Sequence, residues 1–278
     1  VSEGTVDQVI AGEATWCIVT GESVGVGTGK PALIATIPDK AIDVTLTDPP
    51  YSEQVHKSVR SAGRNKMPDV ADFGCRTRRV VDLGFEHITV PEMEGLADEI
   101  ERTTKRWCAV FSDVESCHLW RGAFTSWEYV RTAEWRRIGG APQFTGDRPA
   151  SAFETITLMH PKGRKRWNGG GKAGAYEHLI VANRLGARGE RVHPTQKPLL
   201  LMVDLVVDFS NPGELICDPY CGFGTTGLAA IRTGRRFIGI EKNEAHAESA
   251  RERLRAEGSS SSYAARKNGQ TALFGASR

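Results

Sequence analysis

Apolar and polar positions alternate in short bursts along this 278-residue chain, and longer stretches with a helical period lie between the bursts. "TWCIVT", "AIDVTLT", "RWCAVFS", "EYVRTAEW", "AFETITLMH", "EHLIVAN", "ELICDPY" and "RFIGIE" read as strands. "VPEMEGLADEIERTTK", "DVESCHLWRGAF", "QKPLLLMVDLVVDFS", "TTGLAAIRT" and "NEAHAESARERLRA" read as helices. Strands alternating with helices predict an α/β fold, a sheet with helices packed on its faces. No internal repeat is visible. From Gly258 the pattern gives way to "GSSSSYAARKNGQTALFGASR", which is Ser-rich and is expected to be a flexible tail. The reading is one domain over 1–257 and a tail over 258–278.

One strand ends in an unusual way. After the β-branched run Ile42–Thr47 come Asp48, Pro49, Pro50 and Tyr51. Neither proline can donate to a continuing ladder, and Pro49 drives Asp48 out of the helical region. The acid, a backbone carbonyl and an aromatic ring are therefore held in one stiff, extended geometry, which suits a preorganised site.

Composition narrows the class. At 40% hydrophobic and 25% charged, the chain can bury one large α/β core or two small ones. The longest apolar run, "LLLMVDLVVDF", is broken by Asp204 and Asp208, and the N-terminus lacks a basic segment before an apolar one. The expectation is a cytoplasmic protein with no membrane span and no export. Cysteines 17, 75, 108, 117, 217 and 221 show no C-x-x-C pairing, so no metal site and no disulfide framework is expected.

Net charge is only +2, but it is unevenly spread. Residues 161–192 carry +6 and residues 54–80 carry +5, leaving the remainder acidic. Two basic, loop-like segments in an acidic chain point to a polyanion. Lys162, Arg164, Lys165 and Arg166 are candidate phosphate contacts, and Trp167 a candidate stacking surface.

Two glycine-rich segments compete for a nucleotide. "GESVGVGTGKP" lacks the first glycine of a phosphate-binding loop, puts Pro31 where a Ser or Thr would hold magnesium, and misses G-x-G-x-x-G. "ELICDPYCGFGTTGLAAIRTGRRFIGIE" has the right order: strand, turn with Gly222 and Gly224, helix, then a strand ending in Glu241. A carboxylate about twenty residues beyond such a turn is placed for a ribose hydroxyl pair.

Together, Asp-Pro-Pro-Tyr at 48–51, Asp-Pro-Tyr-Cys-Gly-Phe-Gly-Thr-Thr at 218–226 and "RVHPTQKP" at 191–198 resemble the β class of DNA amino-methyltransferases, over roughly residues 12 to 256. The stretch "PQFTGDRPASAFETITLMHPKGRKRWNGGG" also looks like small orphan enzymes of phages, which often lack a partner nuclease of a restriction-modification pair. The resemblance implies a Rossmann-like, S-adenosylmethionine-dependent methyltransferase fold with a mostly parallel central sheet and helices on both faces. It implies methyl transfer to the N6 amino group of an adenine flipped out of double-stranded DNA, with cytosine-N4 as the alternative and a DNA-binding module without activity a more distant one. Asp48, Pro49, Pro50 and Tyr51 would be catalytic. Asp218, Pro219, Tyr220, Cys221, Gly222, Phe223, Gly224, Thr225, Thr226, Glu241 and Lys242, with His193, Thr195, Gln196 and Lys197, would bind the cofactor. A target-recognition segment is expected within about 120–192, and residues 52–80 are expected to be a mobile clamp on DNA. "GQTALF" (269–274) resembles peptides that dock bacterial sliding clamps. The chain is expected as a monomer or homodimer.

Three departures from the family pattern, Glu22, Tyr220 and Phe223, concern details of the cofactor pocket.

Overall fold

Strands β1 (Trp16–Thr20), β2 (Ile42–Thr47), β3 (Thr104–Ser112), β4 (Glu128–Ile138), β5 (Phe153–His160), β6 (Ala175–Leu179), β7 (Leu215–Asp218) and β8 (Arg236–Glu241) join in one sheet of order β1-β8-β7-β2-β3-β5-β4-β6. The structure is a computed structural model and describes residues 1–25, 32–51, 87–139, 147, 149–179 and 196–257. Strands β1, β8, β7, β2 and β3 pair in parallel, and β6 is parallel to β4. β5 is antiparallel to both of its neighbours, β3 and β4. All strands but β5 therefore end at the same edge of the sheet, and β5 begins there. In open α/β sheets that edge is where ligands bind.

Helices cover both faces. Leu201, Leu205 and Phe209 of α4 (Leu199–Phe209), Leu228 and Ala229 of α5 (Thr225–Arg232), and Ala250 and Leu254 of α6 (Glu244–Glu257) pack with Leu46, Phe111, Trp135 and Ile216. On the other face, Val9 of α1 (Val6–Ala11), Leu96 and Ile100 of α2 (Val90–Thr103) and Trp120 of α3 (Cys117–Ala123) pack with Val110, Cys217 and Ile240. The mostly parallel α/β architecture expected from the sequence is the one observed.

Helix α2 illustrates how local sequence makes an element. The Thr89 side chain accepts from the Glu92 N–H, Glu92 reaches back to the Thr89 N–H, and Pro91 sits in the first turn. Losing such a cap costs about 1 kcal/mol. Met93, Leu96, Ala97 and Ile100 follow at helical spacing and are buried; each large side chain so buried contributes about 1.5–3 kcal/mol. Helix α1 carries the same signature, Thr5 with Gln8, but it is short and has one fully buried apolar residue, Val9. Apolar periodicity alone does not reveal it.

Among the described residues no helix is long and apolar enough to cross a membrane, and no group of three or more metal-ligating side chains gathers. The segment 52–80, the tail from 258, and His193 and Thr195 lie outside the described residues.

Candidate active site at the strand ends

β2 delivers Asp48, β7 ends in Asp218 and β8 in Glu241, so parallel pairing places all three acids on one edge. β5, running the other way, starts beside them and brings Glu154 to the same edge. Lys197, just before α4, closes the group from one face.

The Lys197 ammonium donates to Asp48 Oδ2 at 2.6 Å and Tyr51 Oη at 3.0 Å, and forms an ion pair with Glu154 Oε2 at 3.1 Å. The Tyr51 hydroxyl in turn donates to Glu154 Oε2. Lys197 and Glu154 side chains keep only 10% and 14% of their surface, so this is a desolvated ion cluster rather than a surface pair. The ammonium also lies 5.0 Å from the Phe111 ring centre and 5.2 Å from that of Tyr51. On the far side of Glu154, Arg137 Nη1 approaches Oε1 at 3.4 Å.

Burial opposes charge on every member of the cluster, but its partners decide the outcome differently. For Lys197, burial is outweighed by Asp48 and Glu154, and its pKa is raised. For Glu154, burial is outweighed by Lys197 and the Tyr51 hydroxyl, and its carboxyl is held below the ordinary value. For Asp48, burial wins over Lys197, with Glu154 adding to it, and the carboxyl is pushed up. Burial and the two nearby carboxylates push the Tyr51 hydroxyl well up. Of two carboxylates around one ammonium, Asp48 is the one set to take a proton.

Asp48 is also incomplete. Its Oδ2 is held by Lys197, whereas Oδ1 is buried with no hydrogen-bond partner among the described residues. A buried acceptor left open is costly and calls for a reason.

The glycine turn is built otherwise. Gly222 (φ 51°) and Gly224 (φ 72°) adopt the left-handed region, and a Cβ on Gly224 would lie 2.9 Å from that of Ala250. Glu241 accepts from the Gly222 N–H at 2.9 Å through Oε2 and from the Asn243 N–H at 2.9 Å through Oε1. Asp218 accepts from the Thr226 hydroxyl at 2.5 Å and from the Tyr220 N–H at 3.1 Å. Burial pushes the Asp218 carboxyl up to about 7, against those two donors. The Ser23 hydroxyl donates to the Pro219 carbonyl, tying the segment after β1 to this turn. Among the described residues a Cβ on Gly222 would meet nothing within 4 Å, next to a fixed carboxylate.

The remaining expected cofactor residues are placed as follows. Lys197 contacts Asp48, Glu154 and Tyr51. Lys242 is 72% exposed and pairs with Glu22 at 3.0 Å. Thr225 and Thr226 are buried at the start of α5, and Cys221 is buried behind the turn, its thiol pushed well up by burial. Phe223 faces His246, ring centres 4.4 Å apart.

The basic run is set apart. Lys162 to Trp167 follow the end of β5, at the edge opposite Asp48; eight residues at about 3.3 Å each put ~25 Å between the two ends of that strand. Lys165 pairs with Glu128 at 2.7 Å, while Lys162, Arg164 and Arg166 are exposed. Trp167 packs edge-on to Phe209 at 5.1 Å and donates to the Gly170 carbonyl at 2.9 Å. Its half-buried ring packs at the margin of the core. Glu154 was not singled out in sequence: a lone acid opening a strand has no motif, and its partner Lys197 lies far along the chain.

A sequence profile for the family described as DNA methylase matches residues 42–252. The chain is 41% identical over 237 residues to "Putative methylase YubD" of Escherichia coli (strain K12), covering 81% of this chain and 86% of that protein. It is 24% identical over 243 residues to the type II methyltransferase M.HinfI of Haemophilus influenzae, covering 80% of this chain and 65% of that protein's length. Among solved structures, an M1.HpyAVI–SAM complex superposes with a TM-score of 0.58 at 19% identity, covering 86% of this chain and all of the other.

Proposed function

The chain belongs to the DNA methylase family, and from that premise we propose that it transfers a methyl group from S-adenosylmethionine to the N6 amino group of an adenine flipped out of double-stranded DNA. The observation that carries this reading is the open acceptor: among the described residues Asp48 Oδ1 is buried without a hydrogen-bond partner while Oδ2 is anchored. An exocyclic amino group is a poor nucleophile because its lone pair is delocalised into the ring. In this reading Asp48 Oδ1 and the Pro49 carbonyl accept its two hydrogens and turn the lone pair toward the methyl donor. Tyr51 lies against the base, and flipping is required because the amino group is out of reach inside a duplex. After transfer the nitrogen carries an extra proton, and Asp48, whose carboxyl is raised by burial, is the group placed to take it.

The fixed Glu241 carboxylate and the open glycine turn fit S-adenosylmethionine, which supplies an activated methyl group when bound. Glu241 holds the ribose hydroxyls, and the turn from Asp218 to Thr226 surrounds the methionine part. The acid at Asp48 favours adenine over cytosine, since enzymes of this resemblance acting on cytosine more often carry Ser there. The test is nucleoside mass spectrometry of duplex DNA incubated with the protein and the cofactor. N6-methyladenine is the expected product. N4-methylcytosine would correct the base, and no methylated base of either kind would overturn the reading.

A further inference from the structure

We propose that Glu154 is a positioning residue for methyl transfer: with Lys197 and Tyr51 it clamps Asp48 in the orientation that leaves Oδ1 open to the target amino group. The proposal rests on the reading of Asp48 given above and adds a residue that no motif in the chain marks.

The geometry carries it. If Lys197 had only Asp48 to pair with, its remaining protons would lack acceptors in a site where its side chain keeps 10% of its surface, and the ammonium could swing across both carboxylate oxygens. Glu154 removes that freedom. It pairs with the Lys197 ammonium at 3.1 Å and accepts the proton of the Tyr51 hydroxyl, while Tyr51 Oη accepts from Lys197 at 3.0 Å. The ammonium is then held from three sides, and it meets Asp48 on Oδ2. The same clamp fixes the Tyr51 ring, the surface offered to the base. Glu154 is itself held, because β5 pairs residue by residue with β3 and β4 and because Arg137 on β4 approaches its other oxygen.

The clamp also divides charge. The groups facing Asp48 are Lys197 ahead of α4, Glu154 on β5, the Tyr51 hydroxyl on its own segment and Asp218 on β7. Lys197 favours the ionised form of Asp48 and Glu154 disfavours it. The two partners therefore push the protonation of Asp48 in opposite directions, and a residue that served only to hold the fold would not produce that signature.

The experiment is the single-turnover rate of methyl transfer against pH for the full chain, with cofactor affinity measured alongside. Glu154→Gln should lower the rate at pH 8 by about 10- to 100-fold, leave S-adenosylmethionine affinity within about twofold, and move the acid limb of the profile to lower pH. Lys197→Gln should move that limb to higher pH. Glu154→Asp should restore part of the rate. Unmoved limbs in both variants, or limbs that move the same way, would overturn the proposal. Should Glu154→Gln fail to fold, Lys197→Gln carries the test alone, and an unmoved limb there counts against the clamp. If the unaltered chain methylates no base, the proposed function fails first; if it is active and Glu154→Gln behaves like it, the clamp alone is wrong.

Discussion

The glycine turn after β7 and the Asp48 end of β2 occupy neighbouring positions on one sheet edge, yet they satisfy their polar groups in different ways. At the turn, Glu241 and Asp218 are met by backbone N–H groups and a hydroxyl that all come from residues 220–243, the turn and the strand that follows it. At Asp48 one oxygen has no hydrogen-bond partner among the described residues, and the other is held by Lys197, 149 residues along the chain, which also pairs with Glu154. A binding site that recurs at every catalytic cycle benefits from being ready before its ligand arrives. A reacting site benefits from an acceptor that only the substrate completes, even though the open group costs stability.

The sharpest way to break this contrast is to remove the open acceptor. Asp48→Ala should reduce methyl transfer by at least about 10³-fold, the scale seen when a group acting only in the transition state is lost. Cofactor affinity should stay within a few-fold, because Glu241 and the turn do not depend on Asp48. Equilibrium binding and single-turnover assays on the same preparation check both halves, and turnover near normal would refute the assignment.

The complementary substitution is Glu241→Ala. It should weaken S-adenosylmethionine binding about 10- to 100-fold, or about 1.4–2.8 kcal/mol, while the rate at saturating cofactor falls far less. A calorimetric titration gives the first number. If the rate constant collapses instead while affinity holds, the division of labour between the two ends is wrong.

Much of this contrast was legible in the chain itself, but unequally. The glycine turn announces itself because its partners are local: Gly222 and Gly224 for backbone conformation, and a carboxylate at the end of the next strand. Asp48 is marked by the two prolines that stop its strand. Glu154 is not, because its role arises from the reversal of β5, and an antiparallel strand in a mostly parallel sheet is not visible in period-two alternation. The same reversal explains the basic run. Lys162 to Arg166 fall inside the expected target-recognition segment of about 120–192, and the antiparallel strand β5 carries them to the edge opposite Asp48.

A smaller effect concerns the protonation of one acid of the edge, Asp218. Burial raises the Asp218 carboxyl from 3.8 to about 7. The folded chain therefore keeps a proton over that range that the unfolded chain has released. The stabilising contribution is full below about pH 4, declines as pH rises, and is gone above about pH 7. The displacement corresponds to ~4 kcal/mol at most. Asp218→Asn retains one acceptor for Thr226 or Tyr220 and cannot ionise, so denaturant titrations at pH 5 and pH 8 should show the variant gaining on the unaltered chain at the higher pH. A constant difference between the two would mean that Asp218 does not hold its proton.

The smallest expected effect tests whether the sheet has one working edge or two. Arg164, Lys165 and Arg166 lie at the end of β5 away from Asp48, and Lys165 is already paired with Glu128. A duplex whose flipped base reaches Asp48 does not extend its phosphates to that end if the reacting edge alone meets DNA. Replacing all three with Gln should then change DNA affinity by no more than about twofold and leave the slope of log affinity against log salt as it was. Three phosphate contacts would instead lower that slope by roughly 2.7, at about 0.9 for each neutralised phosphate. The difference is large enough to read from a filter-binding series between low and moderate salt. A fall of that size would show that DNA wraps to the far edge, and would make the basic run, rather than the strand ends alone, part of the binding surface.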